Sequence, residues 1–203
     1  MTENATDFLN KLRFNTAPLH KSIELLPVSI SLLSNNITLQ DYRNYIIILY
    51  GFVKEFESSL YPQIQFVIDD LESRKKTFLL YNDLQTLGIE PAEVETIMDN
   101  FFKTNNTIAG TLGCMYVMEG ATLGGQIISR HIERMLGNSV TGSLKYIKAY
   151  GTNTGYMWKK FLESFCELAV IKQQQDEAIK GAVKTFLLLE KWMIDQSKAL
   201  TKV

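Results

Sequence analysis

An all-α fold is what this sequence predicts, and three observations carry the prediction. Apolar residues recur at steps of three and four along almost the whole of its 203 residues, the period of helices that bury one face. No segment of useful length alternates apolar and polar residues as a half-buried strand would. Turn signals fall between the helical segments, and no repeat, linker or low-complexity stretch divides the chain. Hydrophobic residues make up 46% of the chain, enough for one substantial core, so residues 1–203 read as a single domain.

Each element has its own signal. The first helix shows Leu9, Leu12, Thr16, Leu19 and Ile23 on one face, with Asn4 or Thr6 as its cap and Pro18 predicted to bend it. A short helix over 28–34 follows Pro27. Between residues 39 and 60, Leu39, Tyr42, Ile46, Leu49, Val53, Phe56 and Leu60 mark a long amphipathic helix. Thr38 is placed to cap it, and Pro62 disfavours helix at the residue before it. Further helices are predicted over 69–87, 91–104, 107–136, 143–170 and 173–201. Ser34-Asn35-Asn36, Gly88, Gly137-Asn138 and the stretch near Lys172 separate segments of the chain. Gly142, Gly151 and Gly155 predict that 143–170 is broken into two pieces.

Composition excludes several classes. A net charge of −1 with scattered basic residues gives no electrostatic footprint for nucleic acid or an anionic membrane. The longest apolar runs, such as YIIILYGFV, are too short to span a bilayer. MTENATDFLNKL carries no secretory signal pattern. Cys114 and Cys166 sit in apolar helical contexts without metal-ligand spacing, so a cytoplasmic protein with reduced thiols is expected.

Five of the twelve glycines fall in the 107–136 segment: Gly110, Gly113, Gly120, Gly124 and Gly125. Each interior glycine costs a helix about 1 kcal/mol relative to alanine. Two explanations stand side by side. The bare backbone accommodates something flat or bulky, or small residues at four-residue spacing let another helix approach closely. Gly124-Gly125 also predicts a kink. Cys114 and Met118 lie in the same helix, either as core residues or as a second ligand to a metal.

The chain has two histidines, which disfavours zinc sites built from several histidines or cysteines and di-iron sites that need two Glu-x-x-His pairs. A heme needs only one protein ligand. His20 lies beside the apolar stripe of the first helix, and Glu24 follows one turn later, where a carboxylate can orient the imidazole. Arg13, two turns earlier on a similar face, is suited to an anionic group such as a propionate. His131 lies about 16 Å along the axis from Gly120 and is read as peripheral.

LRFNTAPLHKSIE (residues 12–24), YVMEGATLGGQIISRHIERML (116–136), AYGTNTGYMWKKF (149–161) and AVKTFLLLEKWM (182–193) together resemble the heme oxygenase family, in its bacterial biliverdin-producing form. The match in order and spacing covers nearly the whole chain. The resemblance implies a multi-helix bundle with heme between the first helix and a kinked glycine-rich helix. It implies His20 as the proximal iron ligand, Glu24 as its partner and Thr16 close by on the heme side. Gly120, Gly124 and Gly125 become the distal backbone, Arg13 a propionate contact, and Lys159 or Lys160 a further one. Heme is then both cofactor and substrate, with O2 and external electrons opening the ring to biliverdin, CO and iron. Because no flavin or nicotinamide motif is present, a ferredoxin or reductase is the implied electron donor. One departure stands out: Ala121 occupies the position where the animal enzymes have an aspartate that organises distal water. A non-enzymatic heme carrier or sensor on the same fold is the alternative.

Overall fold

The structure, a computed structural model, describes residues 2–97, 102, 107–171 and 174–200. Among them there is no strand. Helix α1 (Glu3–Glu24) buries Phe8, Leu9, Leu12 and Thr16. Its cap is Thr2, whose hydroxyl accepts from the Ala5 N–H at 3.3 Å, so Asn4 and Thr6 lie inside the helix. Pro18 also lies within it. After α2 (Pro27–Leu32) comes α3 (Leu39–Ile64), opened by a reciprocal Thr38–Asp41 capping box. The predicted stop before Pro62 does not occur. In the last turn a proline forfeits one backbone bond, while continuing the helix buries Tyr61 and Ile64.

The predicted 69–87 helix is two: α4 (Leu71–Arg74) and α5 (Thr77–Thr86). A tertiary cap causes the break. Glu57 of α3 accepts from the backbone N–H of Lys76 at 2.5 Å and of Thr77 at 3.2 Å, drawing off the donors at the start of α5. Of the helix expected over 91–104, the described residues form a 3-10 turn at Pro91–Glu93, a non-helical stretch over 94–97 and a helical Phe102. There Ile97 N–H donates to the Gly51 carbonyl of α3 at 3.1 Å. The rest of that prediction, apart from Phe102, lies outside the described residues.

The glycine-rich segment folds as α6 (Ile108–Gly120), a 3-10 turn (Ala121–Gly124) and α7 (Gly125–Leu136), so the interruption falls where the paired glycines predicted it. The 143–170 segment breaks into more pieces than expected: α8 (Lys145–Lys148), a 3-10 turn (Gly151–Asn153) and α9 (Thr154–Ile171). Ala149 and Gly151 both take positive φ at that break. The long α10 (Gln175–Leu200) completes the bundle. It packs along α6, with Gly113 against the Ala178 backbone and Gly181 against the Gly110 backbone. A methyl group at Gly113 or Gly181 would overlap the facing carbonyl oxygen. The bare backbone of Gly113 therefore serves helix packing there, and Gly110 supplies the carbonyl that faces Gly181.

Candidate functional site

Two walls can be followed outward from one contact. Tyr116 of α6 is half-buried; burial raises its phenol pKa, while Arg13 and Thr16 of α1, within hydrogen-bonding reach, pull it down. From there α1 runs one turn to His20 and α6 one turn to Gly120. Among the described residues, no hydrogen bond, ion pair or ring contact joins His20 or Glu24 to the Gly120–Ile127 segment.

On the α1 wall, Thr16 is buried and its hydroxyl donates to the Leu12 carbonyl at 2.8 Å. His20 keeps 58% of its side chain exposed, and its Nδ1 lies 3.4 Å from Glu24 Oε1. The Glu24 carboxylate favours a proton on Nδ1 and leaves the Nε2 lone pair free. An edge-to-face contact with Phe186 of α10, 6.0 Å between centroids, braces the ring. The imidazole is thus oriented from two sides and open on the third.

On the glycine side, the described residues place only the Trp158 ring within 4 Å of where a Gly120 Cβ would stand, at 3.6 Å. At Gly124 the one described side chain within 4 Å is Ile128 of α7, also at 3.6 Å. Leu123 and Ile127 lie exposed nearby, following Gly120 at steps of three and four. Tyr116, Trp158, Phe161 and Phe165 form a chain of ring contacts beside Gly120, at 5.3–6.1 Å between centroids. Gly125 departs from the expected set. It is buried, and a Cβ there would overlap the Ile147 carbonyl oxygen of α8. Its lack of a side chain serves close packing.

The remaining expected residues divide. Arg13 is exposed beside Tyr116. Lys159 is exposed, 3.9 Å from Glu163. Lys160 instead pairs with Asp70 at 3.0 Å, which turns its charge toward a buried ionic cluster and leaves Lys159 the freer cation. Cys114 and Met118 are both buried in the core. His131 binds the Ser34 carbonyl through Nε2 and Arg134 through Nδ1, each at 3.0 Å, so both its nitrogens are occupied away from the site.

That ionic cluster escaped sequence reading. Arg74 and Glu119, each 1% exposed, meet at 2.6 Å. Lys76, also buried, bonds the same carboxylate, and the Tyr150 hydroxyl donates to it at 2.9 Å. The signal available was Glu119 itself, the only charged residue in IAGTLGCMYVMEG. Arg74 and Lys76 lie in the run ESRKK, which reads as a solvated face.

The chemistry of the donor set defines a class: a helical fold that presents one half-exposed imidazole beside a carboxylate partner, and a bare backbone wall flanked by apolar side chains. Among the described residues no group of three or more His, Cys, Asp or Glu side chains is placed to hold a metal ion. A single histidine suits a metal that arrives with its own equatorial ligands, as heme iron does, and the flat face of a porphyrin suits a partly exposed backbone that carries no side chain at Gly120 and Gly124. The chain belongs to the heme oxygenase family: the family model described as Heme oxygenase matches residues 6–195. No curated protein matches the chain in sequence.

Three solved structures share the fold. A heme oxygenase from Neisseria meningitidis, solved with NO and CO bound, aligns with TM-score 0.76 at 20% identity over 93% of this chain and 91% of its own. One from the cyanobacterium Synechocystis, in complex with heme, gives 0.75 at 16% identity over 96% and 94%. One from Leptospira interrogans gives 0.68 at 16% identity over 95% and 98%. No described helix is long and apolar enough to cross a membrane.

Proposed function

We propose that this chain binds heme between α1 and the Gly120–Ile127 wall and opens its ring to biliverdin, CO and iron, using O2 and electrons from a ferredoxin or reductase. The observation that carries the site assignment is the surroundings of His20: its Nδ1 lies 3.4 Å from Glu24 Oε1, and 58% of its side chain is exposed. Heme, when bound, supplies both the iron that activates O2 and the carbon that is attacked.

The protein's part is positional. Glu24 sets the tautomer of His20, and Phe186 restricts its ring rotation, so the ligand nitrogen is presented in one orientation. Gly120 and Gly124 allow backbone to approach the opposite face of the ring, where side chains would stand off. Ala121 supplies no distal acid, which leaves polar backbone and water to serve the oxygen side. Arg13 and Lys159 are the cations proposed for the propionates. Free, buried Cys114 and Cys166 suit the reducing conditions of the cytoplasm.

The test is a hemin titration followed by ascorbate or a ferredoxin system under air. A Soret band that forms and then gives way to biliverdin absorption supports the proposal. A stable band without turnover favours a heme carrier, and no band on titration rules out both. His20→Ala should shift the ferric spectrum and lower turnover by about 100-fold or more. Because His20 is exposed, the apo protein should keep its unfolding midpoint.

A further inference from the structure

We propose that Arg74 is a positioning residue that sets the height of the backbone wall over the heme; the proposal rests on the function given above. Its guanidinium donates from Nη1 to Glu119 at 2.6 Å and from Nη2 to the Met157 carbonyl at 3.2 Å. Nε and Nη2 also grip the Asp70 carboxylate at 2.8 and 3.0 Å. Glu119 immediately precedes Gly120. Met157 immediately precedes Trp158, the ring that faces Gly120 at 3.6 Å. One planar group therefore holds the residue before each of the two elements that meet at the bare face.

The rest of the cluster braces the same carboxylate. Tyr150 donates to both Glu119 oxygens at 2.9 and 3.0 Å, and Lys76 bonds Glu119 and the Tyr150 oxygen. Among the described residues no buried side-chain nitrogen or oxygen lacks a partner. Burying ions is costly, and apolar side chains of similar volume often stabilise a core as well or better. What this arrangement adds is direction. A guanidinium presents its donors in a fixed fork, so Glu119 and Met157 cannot shift independently, and Gly120 and Trp158 move with them. Misplacement by about 1 Å can cost about 100-fold in rate.

Arg74→Lys keeps a cation but cannot serve Glu119, Asp70 and Met157 together. Two readouts report the gap: the azide affinity of the ferric heme complex, which needs no turnover, and the ratio of biliverdin isomers. The proposal expects the azide Kd to change about fivefold or more and the isomer ratio to broaden. A folded variant with a lower unfolding midpoint but unchanged azide Kd and isomer ratio would overturn it, because a stability role alone moves neither. If Arg74→Lys does not fold, Glu119→Gln, which retains an acceptor for Arg74, is judged by the same two readouts. Loss of fold in both variants also overturns the positioning role. Failure of the unaltered protein to form a heme complex is a separate result that removes the underlying function and the proposal with it.

Discussion

The start and the middle of the glycine-rich segment put the same residue to opposite uses. At its start, Gly113 is closed against the Ala178 backbone of α10 and Gly110 lends its carbonyl to the reciprocal approach of Gly181. Toward its middle, Gly120 and Gly124 look out on little beyond one tryptophan ring and one isoleucine. Gly125, next to Gly124 in sequence, belongs with the closed set because Ile147 covers it. A glycine's role is decided by what stands where its Cβ would be. Two neighbours about 100° apart around a helix can answer differently.

Alanine substitutions break this comparison most directly. Gly113→Ala and Gly125→Ala place a methyl group inside a backbone carbonyl's envelope, where no rotamer relieves the clash. Each should lower apo stability by about 3 kcal/mol or more, measured by urea unfolding. Equal stability to the parent would show that α10 and α8 do not lie as close as the structure places them.

The cover over Gly125 carries its own pH dependence. Asp83 of α5, fully buried, accepts from the backbone N–H of Lys145 and Tyr146 at 3.0 and 2.8 Å and so anchors α8, the helix that supplies Ile147. Burial pushes the Asp83 carboxyl up to about 6 against these donors. The folded state then holds its proton more tightly than the unfolded chain. The residue's contribution to stability is full below about pH 4, declines as pH rises through 6, and is level above that. The span is at most about 3 kcal/mol. The stability difference between the parent and Asp83→Asn, followed from pH 4 to 7, should trace this decline; a flat difference would contradict it.

On the open side the effects should shift from stability to ligand. Gly124→Val should fold yet lose about tenfold in hemin affinity, read by Soret titration, since its side chain enters the space assigned to the porphyrin. Unchanged affinity would place the heme elsewhere. The smallest effect belongs to Gly124→Ala, which should leave the apo protein unchanged or stabilise it by about 0.5–1 kcal/mol through reduced freedom of the unfolded chain. A marked loss in thermal unfolding would move Gly124 into the closed set.

Much of the candidate site is legible in the sequence, for a simple reason. His20 and Glu24 lie one helical turn apart, so their proximity follows from helix geometry. Gly120 and Gly124 announce themselves by a local cost that no local gain repays. Arg74, Glu119, Lys76 and Tyr150 could not be assembled this way. Their separations in sequence reach 45 residues between Arg74 and Glu119 and 74 between Lys76 and Tyr150, and nothing local links them. Nothing local links Lys160 to Asp70 either, yet they pair at 3.0 Å.

The sequence by itself determined the helical class and most helix positions. These depend on apolar spacing and on caps such as Thr38 with Asp41, whose interactions span three or four residues. Tertiary structure decided where helices break and what each glycine meets. Glu57 reaches from α3 to interrupt the 69–87 segment, and Ile147 claims Gly125 while Gly124 stays open. Those outcomes depend on close approach between distant segments, a quantity that periodicity along one helix does not contain.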